Sequence, residues 1–383
     1  MSVGRRSIPF NRPYVTGREY DYLREAVATS HLAGNGRFTA RCQAWLEERL
    51  GCRRALLTHS CTGALEMAAI LTGVQAGDEV ILPSFTFVST ANAFVLRGAT
   101  PVFVDIRPDT LNLDERLVEA AITARTRAIV PVHYAGIGCD SVALGAIAAP
   151  RQLVVIEDAA QGILATRNGR PLGTAGQLAA LSFHETKNVM AGEGGALLIN
   201  DPAFVDRAEI VWEKGTDRSR FFRGHVDKYT WQDLGSSFQA SEIAAAFLWA
   251  QLGEADAITA ARLAIWNTYH DAFAPLEQRG LVRRPVVPAG CEHNAHLYYL
   301  LLPDPSCRCA VLKRLNEEGV NAIFHYVPLH TSPAGRRFGR AVGSMTETLA
   351  TSERLIRLPL WVGMPAEDVH YVIDAVATAL EHV

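Results

Sequence analysis

The chain has 383 residues, 49% of them hydrophobic and 20% charged, with a formal net charge of -3 at pH 7. That length suits one large or two moderate domains with ample core. The near-neutral charge, with no basic stripe interleaved with aromatics, argues against a nucleic-acid partner, and no run of about 18 uncharged apolar residues is present to span a membrane. Residues 1–14 carry three arginines, Arg5, Arg6 and Arg12, but no apolar segment of the signal-peptide kind is expected there. Seven cysteines, an odd number at irregular spacing, fit reduced thiols in a cytoplasmic protein better than a disulfide framework.

Short β-branched runs alternate with Ala- and Leu-rich stretches, the pattern of an α/β protein with a mainly parallel central sheet. Strands are predicted over 54–57, 79–82, 101–104, 126–132, 153–156, 179–182 and 195–199. Helices are predicted over 63–71, 86–97, 114–121, 202–212 and 240–251. A long helix over about 258–276 leads out of this sheet. The composition then changes: a proline-punctuated stretch at 285–288, a strand over 296–302, a helix over 306–318, a strand over 321–327 and a terminal helix over 366–382. The expectation is a large domain over 1–254, including an N-terminal segment, and a smaller C-terminal α+β domain over 255–383.

Lysine is scarce. Lys187, Lys214, Lys228 and Lys313 are the four in the chain, and arginine supplies nearly all the other positive charge. A guanidinium stays protonated, whereas a lysine amine can shed its proton and form a Schiff base with an aldehyde. Lys187 follows a predicted strand, in Ser182-Phe183-His184-Glu185-Thr186-Lys187-Asn188. Upstream, Asp158 ends another strand-like run, where ligands of open α/β sheets collect. A carboxylate there keeps a pyridine nitrogen protonated, the arrangement a pyridoxal phosphate (PLP) enzyme needs; the competing reading is a helix N-cap.

Other segments fit the same chemistry. Thr58-His59-Ser60-Cys61-Thr62-Gly63 joins a strand to a helix, and free amides at a helix N-terminus favour a phosphate; ordinary N-capping by Ser60 or Thr62 is the alternative. Phe85 and Phe87 follow a strand end, suited to stacking on a flat ring or to packing in the core. Gly192-Glu193-Gly194-Gly195 reads as a tight loop and lacks the Lys-Ser or Lys-Thr of a nucleotide-binding P-loop. No metal site is expected: Cys307-x-Cys309 has no second pair and His293-x-x-His296 no third ligand. A hydrolase reading of His59-Ser60 fails for want of a Gly-x-Ser-x-Gly elbow.

Together these segments resemble the sugar aminotransferases of the DegT/DnrJ/EryC1/StrS family, PLP enzymes of fold type I. The likeness runs from Ile8-Pro9-Phe10-Asn11 to Arg357-Leu358-Pro359-Leu360. It is carried most strongly by the strings at 83–97, 130–136, 182–188, 221–231 and 324–330, which are most similar to transaminases of dTDP-4-keto-6-deoxy-D-glucose. The resemblance implies that Lys187 forms the Schiff base and shuttles protons, and that Asp158 partners the pyridinium nitrogen. Gln161 is then on the phenolic oxygen, Phe87 on the ring, and Thr62, Gly63 and Ser182 on the phosphate.

Gln239 stands where many relatives offer the neighbouring subunit's cofactor phosphate an Asn. His184, Phe222, Arg223, Lys228, Tyr229 and His330 correspond to positions near the substrate. L-Glutamate is the implied amino donor, converting PLP to pyridoxamine phosphate (PMP), and homodimers or dimers of dimers with shared active sites are the implied assembly. A 3-keto nucleotide sugar and a non-catalytic sensor of the same fold are the competing implications. Relatives that act as dehydratases replace the Schiff-base lysine with histidine, against which Lys187 speaks.

Overall fold

The computed structural model describes residues 6–381. Its strands include β1 (Arg54–Thr58), β2 (Glu79–Pro83), β3 (Thr100–Val104), β4 (Thr126–Ile129), β5 (Val154–Asp158), β6 (Leu178–Ser182) and β7 (Gly195–Ile199). In the C-terminal third follow β8 (Tyr298–Leu301), β9 (Arg340–Ala341) and β10 (Leu355–Leu358). An eight-stranded sheet has the order β1-β7-β6-β5-β4-β2-β3-β9. Only β7 runs against its neighbours; the remaining pairings in this sheet are parallel. The carboxyl ends of β1, β2, β5 and β6 therefore meet at one edge, together with the start of β7.

Apolar residues at nearly every position of β2, β6 and β7 explain the burial of both sheet faces. One face carries helices α1 (Glu19–Ala28) and α2 (Arg37–Leu50), neither of which the sequence patterns above picked out. The N-cap of α2 is Gly36, which has no side chain to offer. Glu242 takes its place: its carboxylate accepts from the amides of Gly36, Phe38 and Thr39 at 2.7–3.0 Å. A negative charge at a helix N-terminus also suits the helix dipole. On the other face α3 (Cys61–Leu71) and α4 (Val88–Val95) pack together, Leu65, Met67 and Phe94 being fully buried.

Beyond α5 (Glu242–Gly253) and α6 (Ala255–Ala272) the chain builds a second core. There β8 and β10 pair antiparallel, and Trp266, Tyr269, Phe273 and Tyr298 pack against α7 (Pro305–Glu317) and α8 (Ala366–Leu380). The two units interlock in both directions. Ile8, near the N-terminus, packs in the second core and bridges Val320, while β9 extends the large sheet alongside β3.

Several elements depart from expectation. Residues 321–327 form no strand: Ile323 makes a single bridge to Arg357, and the chain then turns through Tyr326 at φ 29°, a conformation no strand accommodates. The helix predicted over 258–276 is two, α6 and Ala274–Gln278, because Pro275 cannot continue the ladder. Regular pairing of β4 stops at Ile129, with Val132 bridging Asp158 further on. Residues 202–212 begin as a 3-10 turn (Pro202–Phe204) before the helix Val205–Trp212. His382, at the end of the predicted terminal helix, lies outside the described residues.

Glu79, at the start of β2, ties β9 to the sheet. Its carboxylate accepts from Arg340 at 2.9 and 3.1 Å, from Arg125 at 2.6 Å and from Thr123 at 2.7 Å. The bond from Arg340 leads the causes that lower its pKa to about 2. A carboxylate depressed in the folded state contributes stability that is present above its unfolded pKa and lost as pH falls through the folded one. We expect the melting temperature to drop between about pH 4.5 and 2 through this group. Glu79→Gln should lower the melting temperature at pH 7 and flatten that acid slope; an unchanged slope would show that the cluster contributes nothing.

Candidate active site

Asp158 ends β5 with a buried carboxylate. Thr90 Oγ1 donates to its Oδ2 at 2.7 Å, and the Ala160 amide donates to its Oδ1 at 3.1 Å. Because Thr90 gives its proton to Asp158, it accepts in turn from Thr86 Oγ1 at 2.7 Å. The relay places the carboxylate at the sheet edge with its acceptor geometry fixed. Thr86 and Thr90 were not singled out from sequence. Their spacing of four, on the string 83–97 that carries the resemblance, was the available signal.

Lys187 sits on the loop between β6 and β7. The amides of Phe183 and Glu185 donate to the carbonyls of Gly194 and Gly192, closing the loop on its own glycines. Asn188 pins it to the second unit: its Nδ2 donates to the Asn294 carbonyl at 2.7 Å, and its Oδ1 accepts from His296 Nδ1 at 3.0 Å. Burial pushes the Lys187 amine below its ordinary pKa, and the Arg357 charge pushes the same way. The Asp158 carboxylate opposes them without reversing the result. Cys61 shares this pocket, where burial and the Asp158 charge keep it a thiol.

At the N-terminus of α3 the capping reading holds for one amide. Ser60 Oγ accepts from the Gly63 amide at 3.0 Å, so Gly63, expected at a phosphate, is already engaged. The amides of Cys61 and Thr62, in the first turn, have no intrahelical acceptor. Thr62 Oγ1 shares a hydrogen bond with Ser89 at 2.8 Å, and Ser182 ends β6 nearby. Gly195 lets β7 pass this turn: a Cβ there would stand 2.4 Å from the Cys61 nitrogen.

Gln161 Oε1 accepts from the Ala135 amide at 2.7 Å, which turns its NH2 group outward toward the Tyr326 hydroxyl at 3.4 Å. Beside it Phe85, Tyr134, His325 and Tyr326 form an aromatic wall, with the His325 and Tyr326 rings stacked at 3.5 Å. Phe87 is 57% exposed at the head of α4, its ring 6.5 Å from that of Tyr326. His330 joins the same edge, where its Nδ1 is 2.7 Å from Ser84 Oγ.

Other expected residues lie elsewhere in this protomer. Arg223 is spent on Glu209 in a forked ion pair, with contacts of 2.5 and 3.2 Å. Phe222, Lys228 and Tyr229 are solvent-exposed, and the loop is anchored through Thr230 and Gln232 to Asp217 rather than to Lys187. His184 is tied to its own turn, accepting from the Thr186 amide at 3.2 Å. Gln239 gives its Nε2 proton to Glu213 at 2.9 Å, so that donor is committed. Long arginine and amide side chains find local carboxylates that a linear motif does not reveal.

A family profile described as the DegT/DnrJ/EryC1/StrS aminotransferase family matches residues 13–377. The chain belongs to this family. It is 32% identical to the GDP-perosamine synthase of Caulobacter vibrioides, over 96% of this chain and 97% of that one. The crystal structure of the aminotransferase TlmJ from Streptoalloteichus hindustanus superposes with a TM-score of 0.90 at 31% identity, covering 98% of this chain and all of that one. Spr1654 of Streptococcus pneumoniae, solved in its PMP form, also gives 0.90, at 26% identity over 98% of each chain. This family member is a PLP-dependent aminotransferase of fold type I. The residues present fit the cofactor: a deprotonation-prone lysine, a buried fixed carboxylate and unpaired amides at a helix N-terminus face one edge.

Thr90→Val should leave Asp158 short of one donor and weaken PLP binding about tenfold, the worth of roughly one hydrogen bond to a charged group. Equilibrium dialysis against PLP checks this; unchanged affinity would remove Thr90 from the site.

Proposed function

We propose that this aminotransferase moves the amino group of L-glutamate to C4 of dTDP-4-keto-6-deoxy-D-glucose. The product is dTDP-4-amino-4,6-dideoxy-D-galactose or its D-gluco epimer. The observation that carries the reading is that the Lys187 loop after β6 and the buried Asp158 at the end of β5 lie on adjacent parallel strands at one sheet edge, where burial lowers the proton affinity of the lysine. PLP, when bound, supplies a ring that withdraws electrons from the substrate's reacting carbon.

In this reading Asp158 would hold the ring nitrogen protonated, Gln161 would offer its NH2 group to the phenolic oxygen, and Phe87 would stack on the ring. Thr62, Ser182 and the first amides of α3 would seat the phosphate, with Gly63 contributing through its N-cap turn; Gln239 of a neighbouring subunit would join them by exchanging its bond to Glu213 for the phosphate. Lys187, its amine lowered in proton affinity by burial, would take the proton from the donor's α-carbon and later deliver one to the sugar carbon. His330 and His184 flank the sugar nucleotide.

Exposed Phe222, Tyr229 and Trp231, with Arg223 and Lys228 beside them, suit a loop that serves the partner's site in a homodimer or dimer of dimers. The pathway is one of deoxyaminosugar supply for a polysaccharide or an antibiotic, in the cytoplasm, where the free cysteines stay reduced. Among the described residues no helix is long and apolar enough to cross a membrane. The relative named for a GDP-sugar supports a second reading in which the nucleotide is GDP.

The test is product analysis by proton NMR after incubation with L-glutamate and either the dTDP- or the GDP-linked 4-keto-6-deoxy sugar. We expect the dTDP sugar to be aminated at C4, with the C4 proton couplings separating galacto from gluco. Lys187→Ala should lose turnover by about a thousandfold or more. Amination of the GDP sugar alone, or at C3, would overturn the assignment.

A further inference from the structure

We infer that Asn112 is a positioning residue for the cofactor site. It clamps the left-handed turn at Ala135, and through that turn it decides which end of the Gln161 carboxamide faces the cofactor. The inference rests on the placement of Gln161 at the phenolic oxygen of PLP and adds the residue that orients it. A glutamine can present either its oxygen or its NH2 group to a site, because the two ends of the carboxamide are nearly equal in size and shape. The Ala135 amide removes the choice. It can only donate, so it takes Oε1, at 2.7 Å, and leaves the NH2 group to face outward. Gln161 can act as a donor to the ring only while that amide stays where it is.

Ala135 does not hold its amide there unaided. Its backbone is left-handed, at φ 57° and ψ 17°, a region that residues with a Cβ rarely enter. The turn needs an external hold, and Asn112 supplies it. Its Oδ1 accepts from the Tyr134 amide at 2.8 Å, and its Nδ2 donates to the Ile137 carbonyl at 2.9 Å. One carboxamide thus spans the turn, gripping the residue before Ala135 and the second residue after it. Asn294 closes the other side: a Cβ at Gly136 would stand 2.1 Å from its Oδ1.

Asn112 is itself held rigidly. It is buried in the loop after β3, where Ile106 bridges Leu113 and the Arg107 amide donates to the Asn112 carbonyl at 2.8 Å. Leu111 beside it is also left-handed, at φ 63°, and packs in the cluster of Phe85 and Tyr134. A donor on the phenolic oxygen favours the state in which that oxygen keeps an uncompensated negative charge, the state reached when the Lys187 nitrogen has lost its proton. Gln161 in the donor orientation therefore lowers the pH at which this nitrogen deprotonates in the PLP-loaded protein. Asp158, Cys61 and Arg357 act on the same nitrogen, and His296 and His325 feel its charge. The substitutions below leave all five in place.

The test is a spectroscopic pH titration of PLP-loaded wild type, Asn112→Ala, Gln161→Ala and the double variant, following the visible cofactor band. Gln161→Ala should move the transition up by about one pH unit, the worth of roughly one hydrogen bond to a charged group. Asn112→Ala should move it the same way by a comparable amount. The double variant should go no further than Gln161→Ala, because two residues acting through one contact are not additive. Retained PLP and melting curves distinguish this from a folding defect. Asn112→Ser, neutral but too short to span the turn, reports if Asn112→Ala does not fold. A shift in Gln161→Ala with none in the Asn112 variants would overturn the proposal alone and leave Gln161 assigned. So would additive shifts in the double variant, which would route Asn112 through another group. No shift in Gln161→Ala would overturn the proposal together with the placement of Gln161 on which it rests.

Discussion

A carboxylate buried at the end of a parallel strand is costly unless its charge is met, and the site depends on how Asp158 solves this. Two hydrogen bonds, from Thr90 and from the Ala160 amide, meet its oxygens. The remaining attraction is directed to the pocket it shares with Lys187 and Cys61. Thr90 reaches it only because α4 packs on α3 and brings its small, hydroxyl-bearing face against the edge of β5. Removal of that packing would leave the carboxylate without its Thr90 donor.

The second constraint is that the site closes between the two units. Asn188, next to the lysine, is bonded to Asn294 and His296, and Asn294 in turn donates to the carbonyls of Gln161 and Ile163. Motion of the C-terminal unit would therefore carry the Lys187 loop and the Gln161 turn with it. The Gln161 turn is also braced from below. Glu157, beside Asp158, accepts from His133 Nε2 and from the amides of Gly173, Ala175 and Gly176, and His133 Nδ1 accepts from the Cys139 amide. This fixes the segment whose Ala135 amide orients Gln161.

The parts of this site legible in sequence are those whose residue type is chemically irreplaceable. Lys187 stood out because the chain otherwise prefers arginine, and Asp158 because an acid ends an apolar run. The alternating strands and helices of the sheet were legible for the same local reason, as each buries a periodic apolar face. What was not legible depends on distant partners. Thr90 is an ordinary hydroxyl until β5 is placed beside it. Arg223 and Gln239 were read in sequence as ligand donors, and in this protomer they bond Glu209 and Glu213. The stretch 321–327 has strand-like composition, but its backbone turns at Tyr326 to complete the aromatic wall, a tertiary demand that overrides local preference.

The central claim is that Lys187, among the four lysines, holds the cofactor. Borohydride reduction of the PLP-loaded protein, followed by peptide mass mapping, tests it directly. The account predicts one pyridoxyl addition, on the peptide carrying Lys187. An addition on Lys214, Lys228 or Lys313 alone, or none at all, would contradict it.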